Sequence, residues 1–361
     1  MKILLLADDG IKKDAFVNAA KQIKGSVEVI VEEITEYGME ALQIIETQGA
    51  DAVPVPGGML RNTDVDVLVG SITTPLSKKV LDMFPNLKVI GLCRAGIENI
   101  DMDEVKRRGI VVVNGLGRNA EAVSDMTMAI MLSELRNVAR SYKDVTTDLD
   151  SWRKEWPSTP YLPHMAECKV GVFGFGMIGR LVAKKCAGFG SEILVYDPFV
   201  DDEAVKALGY TPVSKEELFK QADIVTIHAR FVEETRGIVG RKEIESMKPT
   251  AYFVNTARSG LLDNDALLEA LQNHRIGGAA LDVFPEEPLP ADSPWRKLDN
   301  CTVTAHMAGG VMAARDYAAK LVVSAVLSTI RGEKVPQLVT KDTVETDAYK
   351  AWAKEAEKEF F

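Results

Sequence analysis

Seven residues have the types and spacing to do chemistry. Gly174, Gly176 and Gly179 stand in the pattern G-x-G-x-x-G, and Asp197 follows eighteen residues after the last of them. The first glycine permits a tight turn, the second admits a pyrophosphate close to the backbone, and the third lets a helix pack on a strand. Free N–H groups at such a helix start can face phosphate. A carboxylate at Asp197 can accept both ribose hydroxyls of NAD and repel a 2′-phosphate. The other three are Arg258, Glu287 and His306. An imidazole can give a proton to a carbonyl oxygen and take it back near neutral pH. A carboxylate behind it orients the ring and favours its charged form. A guanidinium can grip a substrate carboxylate in two places and polarise a carbonyl. Together these types suit hydride transfer to a keto acid. Taken singly each has an ordinary explanation: a surface arginine, a turn glutamate, a core histidine.

The elements that must position these groups are legible as alternating patterns. The glycine motif sits between apolar strands at 169–173 and 192–196, with a helical pattern at 177–189. Arg258 follows the strand 250–254, Glu287 follows 277–281 after a proline turn, and His306 follows 301–304. Ligands of parallel sheets gather beyond the carboxyl ends of the strands, so the three can share one rim. A sixth strand at 223–227 and helices near 202–208, 214–221, 240–246 and 263–273 complete a doubly wound sheet.

The first third alternates in the same way. Strands are expected at 2–7, 27–31, 66–70, 87–92 and 110–113, with helices near 12–24, 37–48, 76–83 and 101–108. Such alternation implies a parallel sheet covered on both faces. Residues 49–64, with two prolines and two adjacent glycines, are expected to form a loop. Residues 120–149 lack Gly and Pro and are expected to form one long helix, and 151–163 an irregular connection. After Gly310 a helical pattern runs to about Arg331, and the charged tail 341–361 reads as a surface helix.

Composition bounds the class. The 361 residues, 46% hydrophobic and 27% charged, describe a soluble globular chain long enough for two domains. A net charge of −10 argues against nucleic acid or anionic membrane as the main partner. The opening Met1–Ala7 is too short an apolar run for a signal peptide or a membrane span. Cys93, Cys168, Cys186 and Cys301 lack C-x-x-C spacing, which favours reduced thiols in the cytoplasm and argues against disulfides or a metal site.

On these motifs the chain resembles the D-isomer-specific 2-hydroxyacid dehydrogenase family, which includes phosphoglycerate, glycerate and D-lactate dehydrogenases. The resemblance runs from about Asp66 to Arg331. It rests on Leu87-Lys-Val-Ile, Asn99-Ile-Asp101, Asn119-Ala-Glu-Ala-Val123, the glycine motif, Asn255-Thr-Ala-Arg258, Ala280-Leu-Asp-Val-Phe284, Glu287-Pro-Leu289 and Thr304-Ala-His306. It implies two α/β domains with doubly wound parallel sheets: a flavodoxin-like substrate domain, residues 1–113 with 309–361, and an inserted Rossmann NAD-binding domain, residues 114–308. By the same resemblance His306 is the acid/base, Glu287 its partner, and Arg258 the ligand of the substrate carboxylate, with the backbone at Ala95 and Gly96. Met177, Ile178, Asp197, Ala229, Thr256, Asp282 and Gly309 fall where the family touches NAD. The helix after Asn119 falls where family members form homodimers.

Two departures bear on substrate. The family's Gly-x-Gly before Asn-x-Asp is Arg94-Ala95-Gly96 here, and its His-x-Pro is His228-Ala229-Arg230. Two added arginines suggest a second anionic group, such as a phosphate, or a polyhydroxy acid. The alternative is that they point to solvent or pair with Glu98 or Glu233. The 30 residues after Arg331 are too few for the regulatory domain of many phosphoglycerate dehydrogenases, so serine-feedback control through such a domain is not expected. Formate dehydrogenase shares the architecture but pairs its histidine with Gln, and Asp197 disfavours a reductase preferring NADPH. A non-catalytic, NAD-sensing module resembling the family's corepressors is the alternative from another class. It would bind NADH with little or no turnover.

Overall fold

The computed structural model describes residues 1–36, 40–71, 73–147, 164–310 and 312–360. It divides into two compact units, Met1–Asn119 with Met312–Phe361, and Ala120–Val311. The first boundary falls a few residues beyond 113, where the chain is still bonded into the first unit. There the Asn114 side chain donates to the Ala95 carbonyl at 2.7 Å, and the Gly115 N–H donates to that of Arg94 at 2.7 Å.

The first unit is built on a five-stranded parallel sheet. Its strands are β1 (Lys2–Ala7), β2 (Glu28–Glu33), β3 (Val67–Gly70), β4 (Val89–Leu92) and β5 (Val111–Asn114), in the order β2-β1-β3-β4-β5. Strands β1, β3, β4 and β5 are near-continuous Val, Ile and Leu because both faces are covered. The helices between them are cut to length by local signals. In Met102–Arg108 the Asp101 side chain accepts the Glu104 N–H, acids fill the first turn, bases fill the last, and Gly109 stops the helix at φ 64°. Residues 49–64 are not a plain loop: Gly57–Arg61 is a short helix entered from Pro56, and its Gly57 N–H is held by Glu36 at 2.6 Å.

The chain returns to this sheet with the helix Met312–Ile330. Its Val322 and Val326 press on Gly91 so closely that a Cβ there would lie 2.7 Å from a Val322 methyl. The tail helix Asp347–Phe360 is anchored rather than free on the surface. Tyr349, Ala353 and Ala356 are buried with Ala318, Val322 and Val326 in one core.

The second unit carries a seven-stranded parallel sheet. Its strands are β6 (Lys169–Phe173), β7 (Glu192–Tyr196), β8 (Thr211–Pro212), β9 (Ile224–Ile227), β10 (Tyr252–Asn255), β11 (Gly278–Leu281) and β12 (Cys301–Val303), in the order β12-β11-β10-β9-β6-β7-β8. Six are the expected strands; the seventh, β8, is a two-residue edge pairing with β7. The order reverses beside β6, where such sheets bind dinucleotides.

The expected long helix over 120–149 is two helices, Ala120–Leu135 and Val138–Thr147, and 148–150 lie outside the described residues, as do 151–163. The break is at Asn137, whose φ is 54°, a left-handed conformation that asparagine tolerates. It turns the chain so that Arg140 reaches back to Glu134 at 2.9 Å. Glu134 is fully buried and also accepts from Thr302 at 2.7 Å, so a tertiary ion pair overrides local propensity.

Candidate active site

The glycine loop between β6 and the helix Met177–Gly188 is shaped for close approach. Gly174 has φ 91° and its α-carbon faces the Ala229 backbone, so that a Cβ would sit 2.6 Å from Ala229 N. A Cβ on Gly179 would lie 2.0 Å from the Gly174 carbonyl oxygen, which makes glycine obligatory where helix meets turn. A Cβ on Gly176 would meet nothing within 4 Å, so the space above it is open. No side chain caps this helix, and Met177 and Ile178 present its first turn. Asp197 closes the arrangement from the end of β7: Oδ2 accepts the Phe175 N–H at 2.7 Å and Oδ1 accepts the Phe199 N–H at 2.9 Å. An open cradle of N–H groups beside a carboxylate fits the pyrophosphate and ribose of a dinucleotide.

Arg258, Glu287 and His306 occupy the carboxyl ends of β10, β11 and β12. His306 Nδ1 lies 2.6 Å from Glu287 Oε2, and the other carboxylate oxygen accepts the Phe284 N–H at 2.9 Å. Partial burial alone would raise the Glu287 carboxyl. The hydrogen bonds from His306 and Phe284, with the His306 and Arg258 charges, outweigh it and hold the group below the usual glutamate range. The Arg258 side chain is exposed and donates from Nη1 to the Ala257 carbonyl at 2.7 Å.

The sequence placed Asp282 and Thr256 where the family touches NAD and did not foresee the bonds by which Asp282 and Asn255 build these turns. His306 has φ 49° and donates its N–H to the Asp282 carbonyl at 2.9 Å. The Asp282 carboxylate, fully buried, accepts from Thr304 Oγ1 at 2.6 Å, Met307 N at 3.0 Å and Ala308 N at 2.9 Å, just before Gly309. It thereby fixes the turn that carries the histidine. Buried Asn255 does the same for Arg258, accepting the Ala257 N–H and donating to the Arg258 carbonyl. The Thr256 hydroxyl bonds Thr127 at 2.7 Å; Thr127 gives its own proton to the Val123 carbonyl, so Thr256 is the donor. His228 bonds Thr226 at 2.9 Å, and burial pushes its imidazole down to about 3, which keeps it neutral. Asp282 and Asn255 were visible only as part of motifs, because their bonding depends on how strand ends turn.

The two added arginines differ. Arg94 follows β4 in the first unit with its side chain only 12% exposed, and pairs with Glu98 at 2.9 Å, the local acid the sequence offered. Arg230, beyond β9 in the second unit, is exposed, while Glu233 is taken by Arg236 at 2.9 Å. Ala95 and Gly96 lie in the first unit beside Arg94.

Residues 128–308 match the family model described as "D-isomer specific 2-hydroxyacid dehydrogenase, NAD binding domain". The chain is 33% identical over 323 residues to a glyoxylate reductase of Thermococcus litoralis, covering 87% of this chain and 97% of that one. It belongs to the D-isomer specific 2-hydroxyacid dehydrogenase family. It is an oxidoreductase of that family with its NAD-binding domain. It is also 36% identical over 313 residues to a D-3-phosphoglycerate dehydrogenase of Methanocaldococcus jannaschii, covering 84% of this chain and 58% of that one. Among solved structures, the NAD-complexed D-isomer specific 2-hydroxyacid dehydrogenase of Lactobacillus delbrueckii ssp. bulgaricus shares the fold, with a TM-score of 0.71 at 22% identity over 94% of this chain and all of that one. No helix among the described residues is long and apolar enough to cross a membrane.

Proposed function

We propose that this dehydrogenase interconverts a D-2-hydroxy acid and its 2-keto acid with His306 as the acid/base. The observation that carries the reading is the 2.6 Å bond between His306 Nδ1 and Glu287 Oε2. A carboxylate at Nδ1 keeps a proton there, so Nε2 is the nitrogen that can change protonation state. In reduction Nε2–H gives its proton to the carbonyl oxygen, and in oxidation Nε2 takes it from the hydroxyl. Glu287 holds the ring in orientation and stabilises the charged imidazole. Arg258 grips the substrate carboxylate and polarises the adjacent carbonyl. NAD, when bound, supplies or accepts the hydride. Gly174, Gly176, Met177, Ile178 and Gly179 would hold its pyrophosphate and Asp197 its ribose, with Ala229, Thr256, Asp282 and Gly309 bordering the rest. Arg230, exposed beyond β9, is the residue of the second unit that would meet a second anionic group.

The test is NADH oxidation against a panel of 2-keto acids, including glyoxylate, hydroxypyruvate and phosphohydroxypyruvate, with chiral analysis of the product. A D-configured hydroxy acid supports the reading. Tight NADH binding without turnover on any acid would favour an NAD-sensing module. A homodimer joined through the helices of 120–147 belongs to the same reading. Exposed Val138, Val145 and Tyr142, the last 71% exposed, support it, and sedimentation at twice the monomer mass would test it.

A further inference from the structure

The turn that carries Arg258 is held from within by Asn255, and from outside by the segment that follows β9. Beyond Arg258 the chain makes a short turn, Ser259–Leu261, before its next helix. Residues 237–239 run alongside that turn. The Gly237 N–H donates to the Gly260 carbonyl at 2.9 Å, the Val239 N–H to that of Leu261 at 3.0 Å, and the Asp263 N–H to that of Val239 at 2.9 Å. Val239 and Leu262 form a parallel bridge. The two segments are thereby joined backbone to backbone. Among the described residues the Arg258 guanidinium bonds only the Ala257 carbonyl, so its aim is set by the backbone that carries it.

Phe231 lies across this joint. Its ring edge rests on Gly260, where a Cβ would lie 2.7 Å from ring carbon Cε2 and 2.8 Å from Cζ. Gly260 is not among the residues with positive φ, so what the glycine supplies here is space. The ring is held on its other sides. Thr235 Oγ1 accepts the Val232 N–H at 2.9 Å and donates to the Arg230 carbonyl at 2.8 Å, which closes a tight turn around Phe231. The Arg236 guanidinium carbon lies 5.2 Å from the ring centroid, a placement that the negative face of an aromatic ring favours. Glu233 grips that guanidinium in two bonds of 2.9 Å, from Nε and Nη2, and so keeps it over the ring. The core beneath is already closed by Val239, Leu261 and Leu262, all buried, whereas Phe231 is half-buried at its rim. The ring therefore acts as a clamp on the turn, two residues beyond Arg258.

We propose that Phe231 is a positioning residue for Arg258: by packing on Gly260 it holds the turn that aims the guanidinium at the substrate carboxylate. This rests on the reading that Arg258 grips that carboxylate. The test is the steady-state kinetics of the NADH-saturated enzyme on the 2-keto acid it reduces best, with NADH affinity measured on the same variants. Phe231→Ala lowers kcat/KM about tenfold, mainly through KM, and leaves NADH affinity unchanged. Phe231→Leu retains most of the wild-type value, because apolar bulk stays on the turn. Gly260→Ala, whose methyl displaces the ring, raises KM as Phe231→Ala does. The loss runs through Arg258, so in an Arg258→Ala background Phe231→Ala lowers kcat/KM no further. Unchanged KM in both Phe231→Ala and Gly260→Ala overturns the proposal, and so does a full further loss in the Arg258→Ala background. Either result leaves the dehydrogenase reading intact. Turnover of no 2-keto acid, or wild-type kinetics in Arg258→Ala, overturns both. Should Phe231→Ala unfold, Gly260→Ala decides alone.

Discussion

At the scale of single residues, the account turns on a histidine held by a carboxylate. Glu287 is kept below the ordinary glutamate value of 4.5, so it stays ionised as pH falls through that value. Its contribution to the pair is present above the unfolded value and is lost only as pH falls through the lower folded one. Glu287→Gln removes the charge but keeps the shape. In keto-acid reduction the limb of the pH–rate profile where the acid form is lost should then move to lower pH. A pH series of kcat/KM checks this; an unmoved limb would mean that Glu287 does not govern the proton. The candidate residues were legible because their chemistry is carried by type: imidazole, carboxylate and guanidinium, each after an apolar run. Their bonding was not. The Asp282 carboxylate reaches Thr304, Met307 and Ala308 across 22 to 26 residues, which no local pattern encodes. Asp282→Ala would strand those donors, and we expect a loss of about 2–3 kcal/mol in stability. We also expect kcat to fall more than NADH affinity; equal losses would contradict a positioning role.

At the scale of elements, β7 delivers Asp197 to the glycine turn, and the strand, turn, helix and strand that do so were readable in order. Each glycine answers a local steric demand, most sharply Gly179 against the Gly174 carbonyl. Asp197 also accepts the Phe175 N–H, so the acid that would read the ribose also shapes the turn. Asp197→Ala should relax the preference for NADH over NADPH and weaken both. Coenzyme affinities measured by fluorescence titration check it, and an unchanged preference would remove Asp197 from the ribose. Other elements were harder to read. The helix Gly57–Arg61 begins with the Pro-Gly-Gly signals of a turn, yet Glu36 holds its first N–H. The break at Asn137 is decided by Glu134 and Arg140, whose bond forms only when the chain folds back. Strand β8, two residues with a proline, is too short to leave a period-2 pattern.

At the scale of the whole molecule, both sheets were legible from alternating apolar runs, because buried parallel strands must be apolar on both faces. The tail was not, since its charged residues mask one apolar stripe. Tyr349 lies in that stripe, 6% exposed, and its hydroxyl donates to the Thr329 carbonyl at 3.4 Å. Tyr349→Ala should destabilise the first unit by about 3 kcal/mol, read from urea unfolding; a change below about 1 kcal/mol would mean that the helix is not part of that core. The most direct test of the central claim is His306→Ala, with turnover and NADH binding measured on the same preparation. The account predicts a fall in kcat of about 10²–10⁴ on a reducible 2-keto acid with NADH affinity unchanged. Turnover near that of the wild-type enzyme would contradict it.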